Sequence, residues 1–197
     1  TRLDDSVLVE RLIGAGVEKI VYDRAHADPE TPASDAKFAA TLAKHPGKVW
    51  LGMSPEVEMG FQKIDKIVPM PAFREKVGLA SMTGYPGPFG LSVIFPTEVE
   101  LDGRTEPSIS AVLSGYEGRE ARYRPDYAFN PKTVPTYSYG DILHGRVDAN
   151  ELRGKSVIIG MTQLASPDFF LLPFYGKIPG SYFHILGAHT LKRGTPY

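Results

Sequence analysis

The chain has 197 residues, enough for one ordinary domain, and a chain of this size buries about 70% of its unfolded surface, so a core forms without staples. Its 22 basic and 23 acidic residues leave a net charge of −1 with no basic cluster, which removes the electrostatic footprint of a nucleic-acid binder. There are no cysteines, which excludes disulfides, thiolate metal sites and a cysteine nucleophile, and no stretch approaches the roughly 18 apolar residues of a membrane span.

Asp4, Asp5 and Ser6 offer caps and favourable charge at a helix start, and Leu3, Val7, Leu8, Leu12 and Ala15 follow at helical spacing. Gly14 and Gly16 supply left-handed stops, and "VEKIVYD" then alternates as a strand closed by Asp23. After the polar loop "RAHADPETPAS", Ser34 is expected to cap a second helix with Phe38, Ala39, Leu42 and Ala43 on one face. "HPG" ends that helix and "KVWLGM" reads as a second buried strand. Two consecutive helix–strand units imply a parallel or mixed sheet covered by helices.

The middle of the chain is rich in proline and glycine. Short strands are expected at 79–83 and 91–95, a turn at Asp102 and Gly103, and a short helix in "PSISAVLSG" with Ile109 and Val112 inward. Residues 122–127 read as an edge strand, because Pro125 has no N–H to give a neighbour. Ser138 then caps a helix carrying Asp141, Ile142 and Leu143, "KSVIIGMT" reads as a central strand, and a terminal helix runs from about His184 to Lys192, closed by Gly194. The expected fold class is α/β: one domain over 1–197 with a mixed, mostly parallel central sheet and helices on both faces.

"LRGKSVIIG" contains the last three letters of a phosphate-binding loop, but Ala149 stands where the first glycine is needed and a strand follows where a helix should. "GAGVEK" fails as a dinucleotide fingerprint, with lysine in place of the third glycine and a strand after it instead of before. His184 and His189 are five apart on the expected helix and point to different faces, so they make no metal pair, and His184 is expected to be buried against a backbone group. Ser138, Asp141 and His144 cluster in sequence, but the first two fit a helix-start cap. No metal or cofactor is expected.

In an open α/β sheet ligands sit outside the carboxyl ends of the strands. That rule selects Asp23 and His26, beside Arg24, after the first strand, and Thr162 and Asp168 after the "SVII" strand, as candidate ligand-binding residues. Asp28 and Asp35 share the first loop, and such carboxylates could also hold a cation or end a strand and complement a helix. The stretch "FFLLPFYGKIPG" at 169–180 is too apolar for a free loop and is expected to pack into the core or to form a contact patch.

The order of several segments resembles the CHASE2 family. Its turn S-x-x-D-[VI]-L-x-G is matched by Ser138, Asp141, Ile142, Leu143 and Gly145. Its L-x-G-K-x-V-x-I-G is matched by Leu152, Gly154, Lys155, Val157, Ile159 and Gly160. P-G-x-x-x-H leading to T-L-x-x-G is matched by Pro179, Gly180, His184, Thr190, Leu191 and Gly194, and "RLIGAGVEKIVYD" resembles the family's front segment, with Tyr22 where phenylalanine is usual. The family's G-D-x-x-x-T-P loop is represented only by Pro167, Asp168 and Pro173.

The resemblance implies an extracytoplasmic sensory domain of a bacterial transmembrane receptor, on the periplasmic or extracellular side. It also implies flanking membrane helices and a cytoplasmic cyclase, diguanylate cyclase, cyclic-di-GMP phosphodiesterase or kinase as output. On this reading the chain is an excised fragment that begins after the family's first strand, is not itself an enzyme, and reads a small-molecule or protein signal, with a homodimer as a working assembly. The alternatives left open are a small metal-dependent hydrolase using Asp23, His26, Asp28 and Asp168, and a dimerisation module joined through residues 169–175.

Overall fold

The computed structural model describes residues 1–59, 62–85, 87–161 and 169–194. Helix α1 (Arg2–Gly14) starts a turn earlier than Asp4 to Ser6 suggest, because Thr1 and Asp4 form a capping box. Its inward face carries Asp5, Leu8, Val9 and Leu12, while Leu3 and Val7 lie exposed. Only Gly16 takes the left-handed conformation, one residue beyond the Ala15 cap. There the N–H groups of Gly16 and Val17 donate to the Ile13 and Leu12 carbonyls and satisfy the helix end.

Strand β1 (Lys19–Tyr22) leads through a loop to α2 (Pro32–Lys44), which is capped by Thr31; the expected cap, Ser34, sits three residues inside as the reciprocal partner. Phe38 and Leu42 of α2 are buried as expected, but Ala43 is exposed and Thr41 takes the inward place. Strand β2 (Val49–Met53), a ribbon of β3 (Val57–Met59) and β4 (Gln62–Ile64), the short α3 (Pro71–Arg74) and β5 (Gly78–Ser81) follow. The next elements are β6 (Phe95–Pro96), β7 (Glu98–Leu101), β8 (Arg104–Pro107), α4 (Ile109–Ser114) and β9 (Arg122–Tyr123). Asp102 and Gly103, both at positive φ, turn β7 into β8. The strand expected at 91–95 shrinks to β6, and that expected at 122–127 shrinks to β9, where Arg124 is followed by Pro125.

The last part comprises α5 (Tyr139–Leu143), capped by Ser138 as expected, α6 (Ala149–Leu152), β10 (Ser156–Ile159), the hairpin β11 (Phe169–Leu172) and β12 (Gly176–Pro179), and α7 (Gly180–Lys192). Helix α7 begins four residues before His184, because Pro179 ends the strand and opens the helix.

The central sheet runs β10-β1-β2-β5, every pair parallel, and among the described residues antiparallel pairing occurs in small ribbons and isolated bridges. The fold is thus α/β. Strand β10 lies at one edge of the four described strands rather than at the centre. Ile20, Tyr22, Val49 and Leu51 face α1 and α2, with Phe38, Leu42 and Leu152 filling that core. Val21 and Ala80 face the other way, against Ile109 and Val112 of α4. Period-two alternation with apolar residues on both faces is what a sheet covered by helices on both sides demands.

At the amino ends of β1 and β10, Gly16 and Gly154 are both left-handed, and the Gly154 N–H donates to the Gly16 carbonyl at 2.8 Å. Glu18 N–H donates to the Lys155 carbonyl at 2.8 Å, so Gly154 and Lys155 turn the chain into the strand and leave no phosphate cradle.

Helix α7 covers α4, and Gly187 permits the approach: a Cβ there would stand 2.4 Å from Ser110 Oγ and from the Tyr123 hydroxyl. Beside it a second core is built on Phe183, stacked between Phe95 (3.9 Å) and Phe170 (4.1 Å). The apolar 169–175 stretch divides accordingly. Phe170 and Leu172 pack inward, whereas Phe174 at the hairpin turn is 91% exposed. Among the described residues no helix is long and apolar enough to cross a membrane. Truncating Phe183 to alanine removes the middle ring of the stack, and a urea melt should show a loss of about 3–5 kcal/mol.

Candidate functional site

The helix that follows β1, α2, covers one face of the sheet, whereas α7, the helix that comes after β10, lies with α4 on the other. The helices after these neighbouring strands therefore lie on opposite faces, and such a switch point is where open α/β sheets form their ligand crevice. Asp23 follows β1 and Gly160 follows β10, joined by an Asp23 N–H to Ile159 carbonyl bond of 2.8 Å that prolongs the ladder.

The Asp23 carboxylate turns toward α7, where Oδ1 lies 3.4 Å from His184 Nε2; the two side chains are 3% and 1% exposed. Gly160 makes room for this contact. A Cβ on it would stand 2.9 Å from Ser181 Cβ and 3.3 Å from Asp23 Oδ2. The expectation that a backbone group satisfies His184 is not met, because its ring faces a carboxylate. Its own carbonyl accepts from Ser110 Oγ of α4 at 3.1 Å. Neither ring nitrogen, nor Asp23 Oδ2, has a hydrogen-bond partner among the described residues. Buried polar atoms in that condition are costly and rare in folded proteins.

His26, selected with Asp23 by the strand-end rule, belongs to a different cluster. Its ring is buried between the edge of Tyr22 (4.9 Å) and the face of Phe38 (5.1 Å), and its backbone is left-handed at φ 54°. Nε2 lies 3.1 Å from Asp5 Oδ2 and 2.8 Å from an Arg24 nitrogen, and Nδ1 lies 3.3 Å from the Arg24 carbonyl. A proton on Nε2 donates to Asp5 Oδ2, whereas a proton on Nδ1 donates to the Arg24 carbonyl and leaves Nε2 to accept from the guanidinium. Arg24 also donates to Asp5 Oδ2 at 2.6 Å, and the Tyr139 hydroxyl of α5 donates to Asp5 Oδ1 at 3.1 Å.

Burial pushes the Asp5 carboxyl up, but His26, Arg24 and Tyr139 outweigh it and hold the group below its ordinary value. Burial holds His26 below the ordinary histidine value against the opposing pull of Asp5. Burial also raises the Tyr22 and Tyr139 phenols, with the Asp5 charge adding to the effect, so both stay protonated.

Asp23 and His26 are thus engaged by different partners. Thr162 and Asp168 lie outside the described residues. Asp28 is exposed and contributes its carbonyl, which accepts from buried Arg2 at 2.8 Å. Asp35 accepts from the Glu30 N–H at 3.1 Å and stands 3.6 Å from Arg2 Nε, holding the first loop against α1. The shared acidic centre a hydrolase would need is therefore not assembled from Asp23, His26 and Asp28. Sequence reasoning gave Asp5 only a place at the helix start and passed over Tyr139. The signal that could have found Asp5 is its helical spacing to Leu8, Val9 and Leu12, with which it is buried. Among the other motif residues, Asp141 accepts from Arg146 Nε at 2.7 Å, and Pro179 and Gly180 open α7.

A family model described as the CHASE2 domain matches residues 6–194, nearly the whole chain. No curated protein and no solved structure matches it.

The Asp5–His26 cluster carries a pH dependence of stability. Because His26 in the fold is held below its unfolded value, unfolding takes up a proton once the pH drops below about 6.5, so this stability is complete above that value and declines toward the lower folded one. Asp5 adds stability that is present above the ordinary carboxylate value of 3.8 and lost as pH falls through its lower folded value. Urea midpoints measured from about pH 8 down to pH 5 should fall in the parent and fall less in His26→Gln. Parallel slopes would remove His26 as the cause.

Proposed function

The chain belongs to the CHASE2 family, a family of extracytoplasmic sensory domains, and from that premise we propose that it reads a signal for a bacterial transmembrane receptor and performs no chemistry itself. The observation that supports this most is the placement of Asp23, Gly160 and His184 at the carboxyl rim of the sheet, where a buried acid and a buried histidine join β1 to α7. Such an arrangement suits recognition. A small molecule or protein met at the carboxyl rim biases two arrangements of α7 against the sheet, acting only through its difference in affinity for them.

In this reading the domain stands outside the cytoplasmic membrane, in the periplasm or the extracellular space, and membrane helices flank it. They pass the bias to a cytoplasmic cyclase, diguanylate cyclase, phosphodiesterase or kinase, and a pair of copies is the working unit. Among the described residues the hydrolase alternative has no observation in its favour, since Asp23 and His26 are engaged by different partners and Asp28 is exposed.

A thermal-shift screen of the chain against metabolites, nucleotides and divalent ions tests the sensory reading. A ligand confined to the folded state should add about 2.7 kcal/mol at a hundredfold excess over its dissociation constant. Replacing Asp23 by asparagine should abolish that shift. A hit accompanied by turnover of the compound would overturn the reading.

A further inference from the structure

The unpartnered atoms of Asp23 and His184 are not explained by packing, since an apolar pair of the same shape would fill the space without the desolvation penalty. Their 3.4 Å separation is an ion-pair distance but longer than a made N–H···O bond, which centres near about 2.9–3.0 Å. The pair therefore stands close enough to attract and short of closing.

The surroundings of His184 leave one charged neighbour within ion-pair reach among the described residues, Asp23 from the end of β1. From β11 comes Phe170, at 6.4 Å ring to ring, and from α7 itself Phe183, at 5.1 Å. From α4 comes Ser110, whose hydroxyl is spent on the His184 carbonyl. Tyr123 of β9 approaches Gly187, one turn on, with its phenol raised by burial and therefore neutral. The end of β10 presents Gly160, which has no side chain to titrate. Arg24, next to Asp23 in the chain, is taken up by Asp5.

We propose that Asp23 and His184 form a proton-operated latch between the sheet and α7. A proton taken up by the His184 ring converts the near contact into a closed, charge-assisted hydrogen bond from Nε2 to Asp23 Oδ1, and its release opens the contact again. The proton is the ligand of this element and acts by binding the closed arrangement more tightly than the open one. Gly160 against Ser181 leaves no slack, so movement of the first turn of α7 is felt at the end of β10; the Ser110 bond carries it to α4. The inference rests on the sensory reading and deepens it, by making the acidity outside the cell one of the signals the domain reads.

Titrating the chain by nuclear magnetic resonance tests this. The imidazole signals of its five histidines are followed with the backbone amides of Gly160 and Ser181, and His184 is identified by its contacts to the Phe170 and Phe183 rings, so that no variant has to fold. Histidine ordinarily changes charge between about pH 5 and 8. The expected result is one common midpoint for the His184 ring and both amides, with the amide response lost in Asp23→Asn. A His184 ring that keeps one protonation state throughout, or one that titrates while the two amides stand still, overturns the latch. Such a failure beside a thermal-shift hit at fixed pH would leave the sensory reading intact, whereas a shared midpoint without any hit would uphold the latch by itself.

Discussion

Strand β1 is enclosed on both faces and along both edges, and the rest of the molecule is arranged around that fact. Ile20, Val21 and Tyr22 are inaccessible to solvent, and parallel neighbours on either side take up the backbone groups. The inner residues of a segment in that position have no room for a charge, so beyond Lys19 at its amino end the ionic groups are displaced to the first residues past its carboxyl end. Asp23, Arg24 and His26 stand there, and each draws a partner from a distant part of the chain.

The partners divide by face. On the side of α1 and α2, Asp5 gathers Arg24, His26 and Tyr139 into a cluster in which each polar contact is close to hydrogen-bond length. A network satisfied in this way makes a low-dielectric interior rigid. On the side of α7, Asp23 and His184 are equally buried but stop short of a bond. One cluster fixes α1 and α5 to the rim. The other brings α7 to the same rim through a contact of 3.4 Å that is not a hydrogen bond.

Much of this was legible in the sequence, and the limits have physical causes. The helix–turn–strand at the front, the turn at Gly154 and the position of Asp23 on the rim follow from local rules of capping, periodicity and backbone freedom. The partner of Asp23 does not, because His184 comes from the last helix and its contact depends on how α7 crosses α4 at Gly187. Leu3 and Val7 misled because several stripes of α1 have apolar members, and burial of Arg2 and Asp5 selected among them. "SVII" read as central because an apolar run reports covered faces and is silent about how many strands lie alongside. Phe170, Leu172 and Phe174 show the same limit in a hairpin, where composition alone could not separate the inward residues from the tip.

The two rims of the sheet differ in construction. At the amino ends of β1 and β10 the chain turns within a few residues, through Gly16 and Gly154, whose backbones are tied to each other. At the carboxyl end of β1 it spends nine residues before α2 begins. The turns that set strand order therefore stand on one rim, apart from the rim where Asp23 and Gly160 sit, and a change at the second rim leaves the first as it is.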